Sequence, residues 1–264
     1  TELPVLEVVW ARYFFMILIS LPLIFIFFRK HLLWPKNIQI QLSRSLFLFL
    51  STIFFFYSIS IISLTESLTL AFIYPVLVTL LSATILKEKV GIRRWIAVVV
   101  GFIGVVIILR PGFNTISLAS LAGLGTGICY SFYVITTRKL SSLDNPLLTL
   151  IFTGLIGAII ISLIVPFVWI TPSFSQLIIM IGIALVGTLG HFLLILSFNF
   201  AEASKLAPFA YFEIVTNILI AYYFFGDFPD KWIWVGLIII ISSGVYITLR
   251  EHFKHKAKNE PIVH

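Results

Sequence analysis

The chain has 264 residues, of which 60% are hydrophobic and 11% are charged, whereas an ordinary soluble domain carries about 25% charged residues. This composition excludes a water-soluble globular protein, because one core cannot bury so much apolar surface. The net charge of +7 does not indicate nucleic-acid binding, since the basic residues flank hydrophobic runs and do not gather on one soluble face.

The hydrophobic residues form nine long runs, and each is long enough to cross a bilayer as a helix. About 20 residues in a helix span a hydrocarbon core of roughly 30 Å. In chain order the predicted spanning helices are 8–28, 45–64, 67–86, 94–110, 117–138, 147–170, 175–199, 204–226 and 232–250. These runs are almost continuously apolar and lack the alternation of barrel strands, so an all-α polytopic membrane protein is predicted.

Basic residues between the runs predict the orientation. Of the 18 Lys and Arg residues, fifteen lie in alternate loops and at the C-terminal end, whereas the other loops hold only Arg110 and Lys231. The positive-inside rule makes the basic set cytoplasmic, with the C-terminus inside and Thr1 outside the inner or plasma membrane. We expect the basic tail, 251–264, to be disordered and to touch anionic lipid. Because an outside N-terminus without a signal sequence is unusual, we also expect residues before Thr1.

The chain carries a weak internal repeat with an offset of 139 residues, and the hydrophobic runs repeat with it. Only run 117–138 lacks a partner, which would lie before residue 1. The sequence therefore predicts an inverted repeat of two five-helix halves with the first helix absent, so that nine transmembrane helices remain. The first repeat is 1–112 and the second is 113–250. Inverted repeats are typical of secondary transporters, which bind substrate near the membrane midplane.

Several short motifs stand in order along the chain. They are Glu7-Val8-Val9-Trp10-Ala11-Arg12, Tyr74-Pro75, Glu88-Lys89-Val90-Gly91, Gly190-His191-Phe192, Ala207-Pro208-Phe209-Ala210-Tyr211 and Phe225-Gly226-Asp227. In this combination the chain resembles the EamA-type permeases of the drug/metabolite transporter superfamily, with Asp227 where Glu is usual. The resemblance implies ten helices, cytoplasmic termini and alternating-access transport of a small metabolite. Amino acids, nucleosides, vitamins and S-adenosylmethionine are the implied substrate classes, and no cofactor is expected.

Polar residues inside the predicted helices are candidates for substrate binding, because ionisable groups in a membrane usually face protein or a water-filled cavity. Glu213 and Asn217 share a helix face. Two interpretations are open: they form a polar site for substrate or for proton relay, or Glu213 is a neutral carboxyl that bonds to a neighbouring helix. His191 suits proton coupling or serves as a neutral hydrogen-bond partner between helices. Arg12 either selects anions or anchors its helix at the outer interface.

Tyrosine and proline residues complete the predicted site. Tyr130, Tyr133 and Tyr211 lie inside otherwise apolar helices, where each hydroxyl needs a partner, and they are predicted to line a cavity together with Tyr74. Pro75 removes a backbone donor from the middle of its run, which predicts a kink or hinge there.

A polytopic membrane enzyme acting on lipid or peptide is the alternative from another class. The sequence has no H-E-x-x-H zinc motif, no G-x-S-x-G nucleophile elbow and no G-x-x-x-x-G-K-S/T phosphate loop. A metal site is not predicted, and a channel is less favoured because no ring of like charges is visible. The predicted partners are a small-molecule substrate and the lipid bilayer, without nucleic acid, and proton coupling is left open.

Overall fold

The computed structural model describes residues 3–27, 34–62, 64–109, 117–220, 223 and 231–259. Within these ranges the regular secondary structure is helical and contains no strand, which confirms the predicted all-α class. Five of the described helical segments are long and apolar enough to cross a membrane: Val5–Pro22, Ile38–Ile59, Leu118–Leu140, Pro146–Phe167 and Phe174–Ser197. The chain is therefore a polytopic helical membrane protein.

The helices follow the hydrophobic runs in chain order. The first are α1 (Val5–Phe27), α2 (Ile38–Ile59), α3 (Leu64–Ala71), α4 (Tyr74–Thr84), α5 (Ile92–Leu109) and α6 (Leu118–Leu140). They are followed by α7 (Pro146–Ser162), α8 (Phe174–Ser197), α9 (Ala203–Leu206), α10 (Phe212–Ile220) and α11 (Lys231–Asn259). Short 3-10 helices, Val165–Phe167 and Ala207–Tyr211, follow α7 and α9.

Polar caps determine where several helices begin. The side chain of Asn37 accepts a hydrogen bond from the backbone N–H of Ile40 at 3.0 Å, so α2 begins at Ile38, well before its predicted start at residue 45. The early start places Arg44 inside a membrane-spanning helix. Arg44 directly precedes the predicted run 45–64 and is one of the fifteen basic residues assigned above to the cytoplasmic side, and for this residue the assignment to a loop is wrong. Equivalent caps at α6, α7 and α8 come from Ser117, Asn145 and Ser173.

Two predicted runs are interrupted at prolines. The first break separates α3, which ends at Ala71, from α4, which begins at Tyr74 and carries Pro75 in its first turn. Proline lacks a backbone N–H and is tolerated in a first turn, so the interruption predicted at this residue takes the form of two separate helices. The second break is the 3-10 segment Ala207–Tyr211, which has Pro208 in its first turn.

Glycines allow helices to approach closely beside the first break. A Cβ built on Gly127 of α6 would lie 2.6 Å from the carbonyl oxygen of Ala71 and 2.7 Å from Cγ2 of Ile73. Both distances are far inside van der Waals contact, so only glycine fits without a shift. Gly157 of α7 likewise accepts the ring of Tyr13 from α1. Both glycines thus allow close contact between helices, as small residues commonly do in membrane proteins.

Helices that are far apart in sequence pack side by side. α1 lies against α7 and α8, α2 lies against α6 and α7, and α5 lies against α11. α3 and α4 lie against α6, and α4 also contacts α9 and the second break. The two breaks are thereby brought together in the interior of the bundle.

The C-terminal helix is longer than predicted. α11 continues to Asn259, beyond the predicted end of its run at residue 250. The expectation of a disordered tail is therefore wrong for 251–259, where lysine, glutamate and alanine favour a helix. Residues 260–264 lie outside the described residues, as does Asp227.

Candidate functional site

A cavity of about 510 Å³ lies where α1, α2, α6, α8 and the two breaks meet. Pockets for small molecules commonly measure roughly 300–1,000 Å³ and combine an apolar lining with a few polar groups. Five of the residues predicted to bind substrate line this cavity: Arg12, Tyr74, Tyr130, His191 and Glu213. We call it the main cavity.

Both helix breaks form part of the wall of the main cavity. Ala71 and Phe72 come from the first break, and Phe209 and Ala210 come from the second. Non-helical backbone within a membrane is tolerated where it lines a cavity or is buried in protein. The prolines therefore help to position the site, because they interrupt the two helices at the same place in the bundle.

Hydrogen bonds connect four helices beside the main cavity. Nη2 of Arg12 on α1 lies 2.7 Å from Nε2 of His191 on α8. The hydroxyl of Tyr133 on α6 lies 3.1 Å from Nδ1 of His191. Arg44 on α2 donates from its Nη2 to the same hydroxyl over 3.2 Å. Two guanidinium groups are thus joined through one tyrosine and one histidine.

The guanidinium of Arg12 is turned toward the interior of the bundle. It bonds to His191 and lines the main cavity, and its Nε is buried without a hydrogen-bond partner among the described residues. The Arg12 side chain therefore lies beside the main cavity, between α1 and α8. His191 bonds to residues of two other helices and lines the main cavity, whereas its predicted role in proton coupling stays a prediction.

Aromatic rings form a continuous wall from the first break to His191. The ring centroids of Tyr74 and Tyr130 are 4.8 Å apart with the rings almost perpendicular, and those of Tyr130 and Tyr133 are 5.3 Å apart. Tyr133 then meets the imidazole edge to face at 5.7 Å. Such a wall offers faces and edges on which a planar ring can stack.

The remaining predicted residues occupy different places. Glu213, in the first turn of α10, is exposed and faces the main cavity. Tyr211 is buried against Gly101, its hydroxyl has no hydrogen-bond partner among the described residues, and it lines neither described cavity. Tyr133 is fully buried and lines neither described cavity, and its hydroxyl contacts the cavity-lining His191. The side chain of Asn217 lies outside the described residues.

A second cavity of about 260 Å³ adjoins the main cavity. The two share five lining residues, Tyr74, Tyr130, Leu194, Phe209 and Ala210, which we call the partition. The second cavity extends toward the end of α8 and the start of α9, where Ser197 and Ala203 line it. The partition therefore lies between the two cavities.

Ion pairs and hydrogen bonds of charged residues connect several helices near the second cavity. The carboxylate of Glu88 accepts hydrogen bonds from the backbone N–H groups of Ala203 and Ser204, each at 3.1 Å, and lies 3.5 Å from Nε of Arg138. Arg94 pairs with Glu202 at 3.0 Å. These contacts, which we call the clamp, join the segment after α4 to the start of α9 and the end of α6.

Arg44 is a component of the site that sequence reasoning missed. It is completely buried, and its guanidinium lies 4.7 Å from the ring centroid of Tyr133. Its basic side chain was counted with the cytoplasmic loops. The available signal was Asn37, a good N-cap residue just before the first apolar positions of α2.

A helical bundle with spanning helices, two interior breaks and a partly polar cavity between them defines a polytopic membrane permease. The chain belongs to the EamA-like transporter family, whose model matches residues 1–110 and 117–250. It is therefore a multi-pass membrane protein that transports a small metabolite.

Several known proteins are similar to this chain. The S-adenosylmethionine uptake transporter of Rickettsia prowazekii (strain Madrid E) is 28% identical over 260 residues, which cover 98% of this chain and 88% of that protein. A riboflavin transporter of Vibrio cholerae is 30% identical over 199 residues, covering 72% of this chain and 64% of the relative. One protein of known crystal structure shares the fold, with a TM-score of 0.75 and a sequence identity of 17%. The match covers 94% of this chain and 90% of that protein's chain.

Proposed function

We propose that this permease takes up a zwitterionic nucleoside metabolite of the S-adenosylmethionine type. One observation carries the proposal: a guanidinium, a carboxylate and a wall of aromatic rings line the same cavity, through Arg12, Glu213, Tyr74 and Tyr130. S-adenosylmethionine carries a carboxylate, an ammonium, a sulfonium and an adenine ring. Each of these groups has a chemical counterpart in the main cavity.

The proposed binding mode assigns one role to each wall. The substrate carboxylate pairs with Arg12, whose planar guanidinium suits bidentate contact with a carboxylate. Glu213, which lies just after the second break in the first turn of α10, attracts the cationic end of the substrate. The adenine ring stacks on Tyr74 and Tyr130, because aromatic faces and edges attract planar heterocycles. The uptake transporter similar to this chain over nearly its whole length supports the same substrate class.

We further propose that transport follows alternating access between two inverted halves, 1–112 and 113–250. Helices matched by the repeat lie against one another, α1 against α7 and α5 against α11, as expected for halves related by a pseudo-two-fold axis. The partition separates the main cavity from the second cavity, and the clamp lies on the side that the basic loops assign to the cytoplasm. These features support an inner-membrane protein with a cytoplasmic C-terminus whose main cavity faces outward.

Transport is favoured over the membrane-enzyme alternative by the family and by the transporter names of similar proteins. Proton coupling through His191 stays a prediction. A proton added to Nε2 would take the place of the bond from Arg12, since arginine has only donors to offer. Uptake measured with and without a pH gradient tests this coupling directly.

The decisive experiment measures uptake of radiolabelled S-adenosylmethionine by cells that express the full-length protein. We expect saturable uptake that Arg12→Gln and Glu213→Gln each reduce strongly at normal membrane abundance. Tyr211→Phe is the matched control, because Tyr211 lines neither described cavity. Riboflavin is tested as a competitor, since one similar protein is a riboflavin transporter. Uptake of riboflavin without uptake of S-adenosylmethionine would refute the proposed substrate.

A further inference from the structure

Arg44 is a buried cation whose described hydrogen-bond partners are all neutral. Its side chain is 0% exposed, and it donates to Thr137 Oγ1 at 2.7 Å, to the Thr149 carbonyl at 3.1 Å, to Thr153 Oγ1 and to the Tyr133 hydroxyl. No carboxylate stands among these partners. A buried charge without a counterion is costly, and ionisable groups retained inside membranes are usually functional.

Donor and acceptor chemistry determines where the proton of His191 lies. An arginine side chain has only donors, so the contact from Arg12 makes Nε2 of His191 an acceptor without a proton. The imidazole proton is therefore on Nδ1, and Nδ1 donates to the hydroxyl oxygen of Tyr133. The same oxygen accepts from Arg44, and its two lone pairs accommodate both donors.

We infer that Arg44 is a positioning residue for recognition of the substrate carboxylate, an inference that rests on the proposed binding of that group by Arg12. Arg44 holds the Tyr133 oxygen in place as the acceptor for Nδ1. The Nδ1–H tautomer keeps the Nε2 lone pair aimed at Arg12. Arg12 is in turn held at the wall of the main cavity, and its buried Nε has no hydrogen-bond partner in the part of the chain that the structure describes.

Loss of the Tyr133 hydroxyl changes this geometry in a defined way. Without an acceptor beside Nδ1, the Nδ1–H tautomer loses one of the two hydrogen bonds that favour it, and the Nε2–H tautomer becomes populated beside it. A protonated Nε2 presents a donor to the donors of Arg12, and the guanidinium is no longer held at the cavity wall. The effect of Arg44 therefore reaches the substrate through two intermediate side chains, without direct contact.

The first test reads the tautomer of His191 in the substrate-free protein. The full-length chain is labelled with ¹⁵N-histidine, placed in lipid nanodiscs and examined by NMR, and the His191→Ala variant identifies the His191 signals. We expect Nδ1 protonated and Nε2 unprotonated in the wild type, and a mixture of the two tautomers in Tyr133→Phe and Arg44→Gln. Tyr211→Phe should give the wild-type spectrum. An unchanged tautomer in Tyr133→Phe would overturn the inference.

The second test compares binding of S-adenosylmethionine with binding of its decarboxylated analogue. Loss of one hydrogen bond to a charged group reduces affinity about tenfold or more. Tyr133→Phe should therefore reduce the ratio of the affinity for S-adenosylmethionine to that for the decarboxylated analogue by about tenfold or more. Binding of the decarboxylated analogue should not change. A purely structural role would weaken both ligands equally, and that result overturns the inference. If neither ligand binds to the wild type, the proposed substrate is wrong, while the NMR test still decides the role of Arg44.

Arg44→Gln also removes bonds to Thr137 and Thr153, and this variant can therefore fail to fold. Tyr133→Phe removes only a hydroxyl and keeps the ring in its buried position, so it carries the test in either case. Arg44→Lys is a useful third variant. It keeps the charge but offers fewer donors. We expect its preference for the carboxylate to lie between those of Arg44→Gln and the wild type.

Discussion

Replacement of Gly127 by alanine tests the close contact between α6 and the first break. The added Cβ would lie 2.6 Å from the Ala71 carbonyl oxygen, a backbone atom that cannot move without shifting α3 or α4. Overpacking of this kind costs about 1–3 kcal/mol. The better helix propensity of alanine offsets about 0.5–1 kcal/mol of that cost. We therefore expect Gly127→Ala to lower the free energy of unfolding by about 1–2 kcal/mol.

Gly182→Ala is the matched control for this prediction. A Cβ on Gly182 of α8 meets no atom within 4 Å, so only the gain in helix propensity of about 0.5–1 kcal/mol should remain. Thermal unfolding of both variants in detergent, followed by tryptophan fluorescence, measures the difference. Uptake should fall in Gly127→Ala alone, because a shifted first break moves Tyr74 at the cavity wall. Equal melting temperatures and equal uptake in the two variants would refute the packing described for the first break.

Three further predictions concern the cavity and its two ends. Glu213→Gln should raise the half-saturating concentration of a cationic substrate about tenfold or more, since bonds to charged groups contribute roughly 1.5–3 kcal/mol; Glu213→Asp should retain part of the affinity, and an unchanged Gln variant would contradict this. Tyr130→Ala, which removes a ring of the partition, should increase leakage of preloaded substrate from vesicles, whereas Tyr130→Phe should not; equal leakage would argue against a closed partition. Glu88→Gln removes the central charge of the clamp and should increase cytoplasmic labelling of Ser197→Cys in a Cys129→Ala background; unchanged labelling would show that the clamp does not limit access.

Most of the fold could be predicted from the sequence because hydropathy is a local property. Among the described residues, each hydrophobic run contains one or more helices. The interruption at Pro75 was predictable because proline removes a hydrogen bond wherever it stands. The second break was harder to predict, since Pro208 could equally mark an ordinary first turn. The contact of α4 with the second break, and the main cavity that both breaks line, become visible only in the folded structure.

The candidate site was predictable in its residue types but not in its connections. A polar residue in an apolar run is conspicuous in any sequence, and Arg12, His191 and Glu213 were found in this way. The bond between Arg12 and His191 joins residues 179 positions apart, and no local pattern reports it. Sequence reasoning missed Arg44 for a different reason: hydropathy treats an arginine near a helix end as solvated, whereas threonine and tyrosine hydroxyls solvate this one inside the bundle.

The thin partition has a pharmacological consequence. Tyr74 and Tyr130 belong both to the proposed ring-binding wall and to the layer between the cavities, so a ligand that binds as proposed would occupy the partition itself. A molecule with the right planar ring and one bulky substituent would bind there and block passage. Such a blocker should compete with substrate for binding in the main cavity. Added outside vesicles, it should not release substrate preloaded inside them, whereas a transported competitor should.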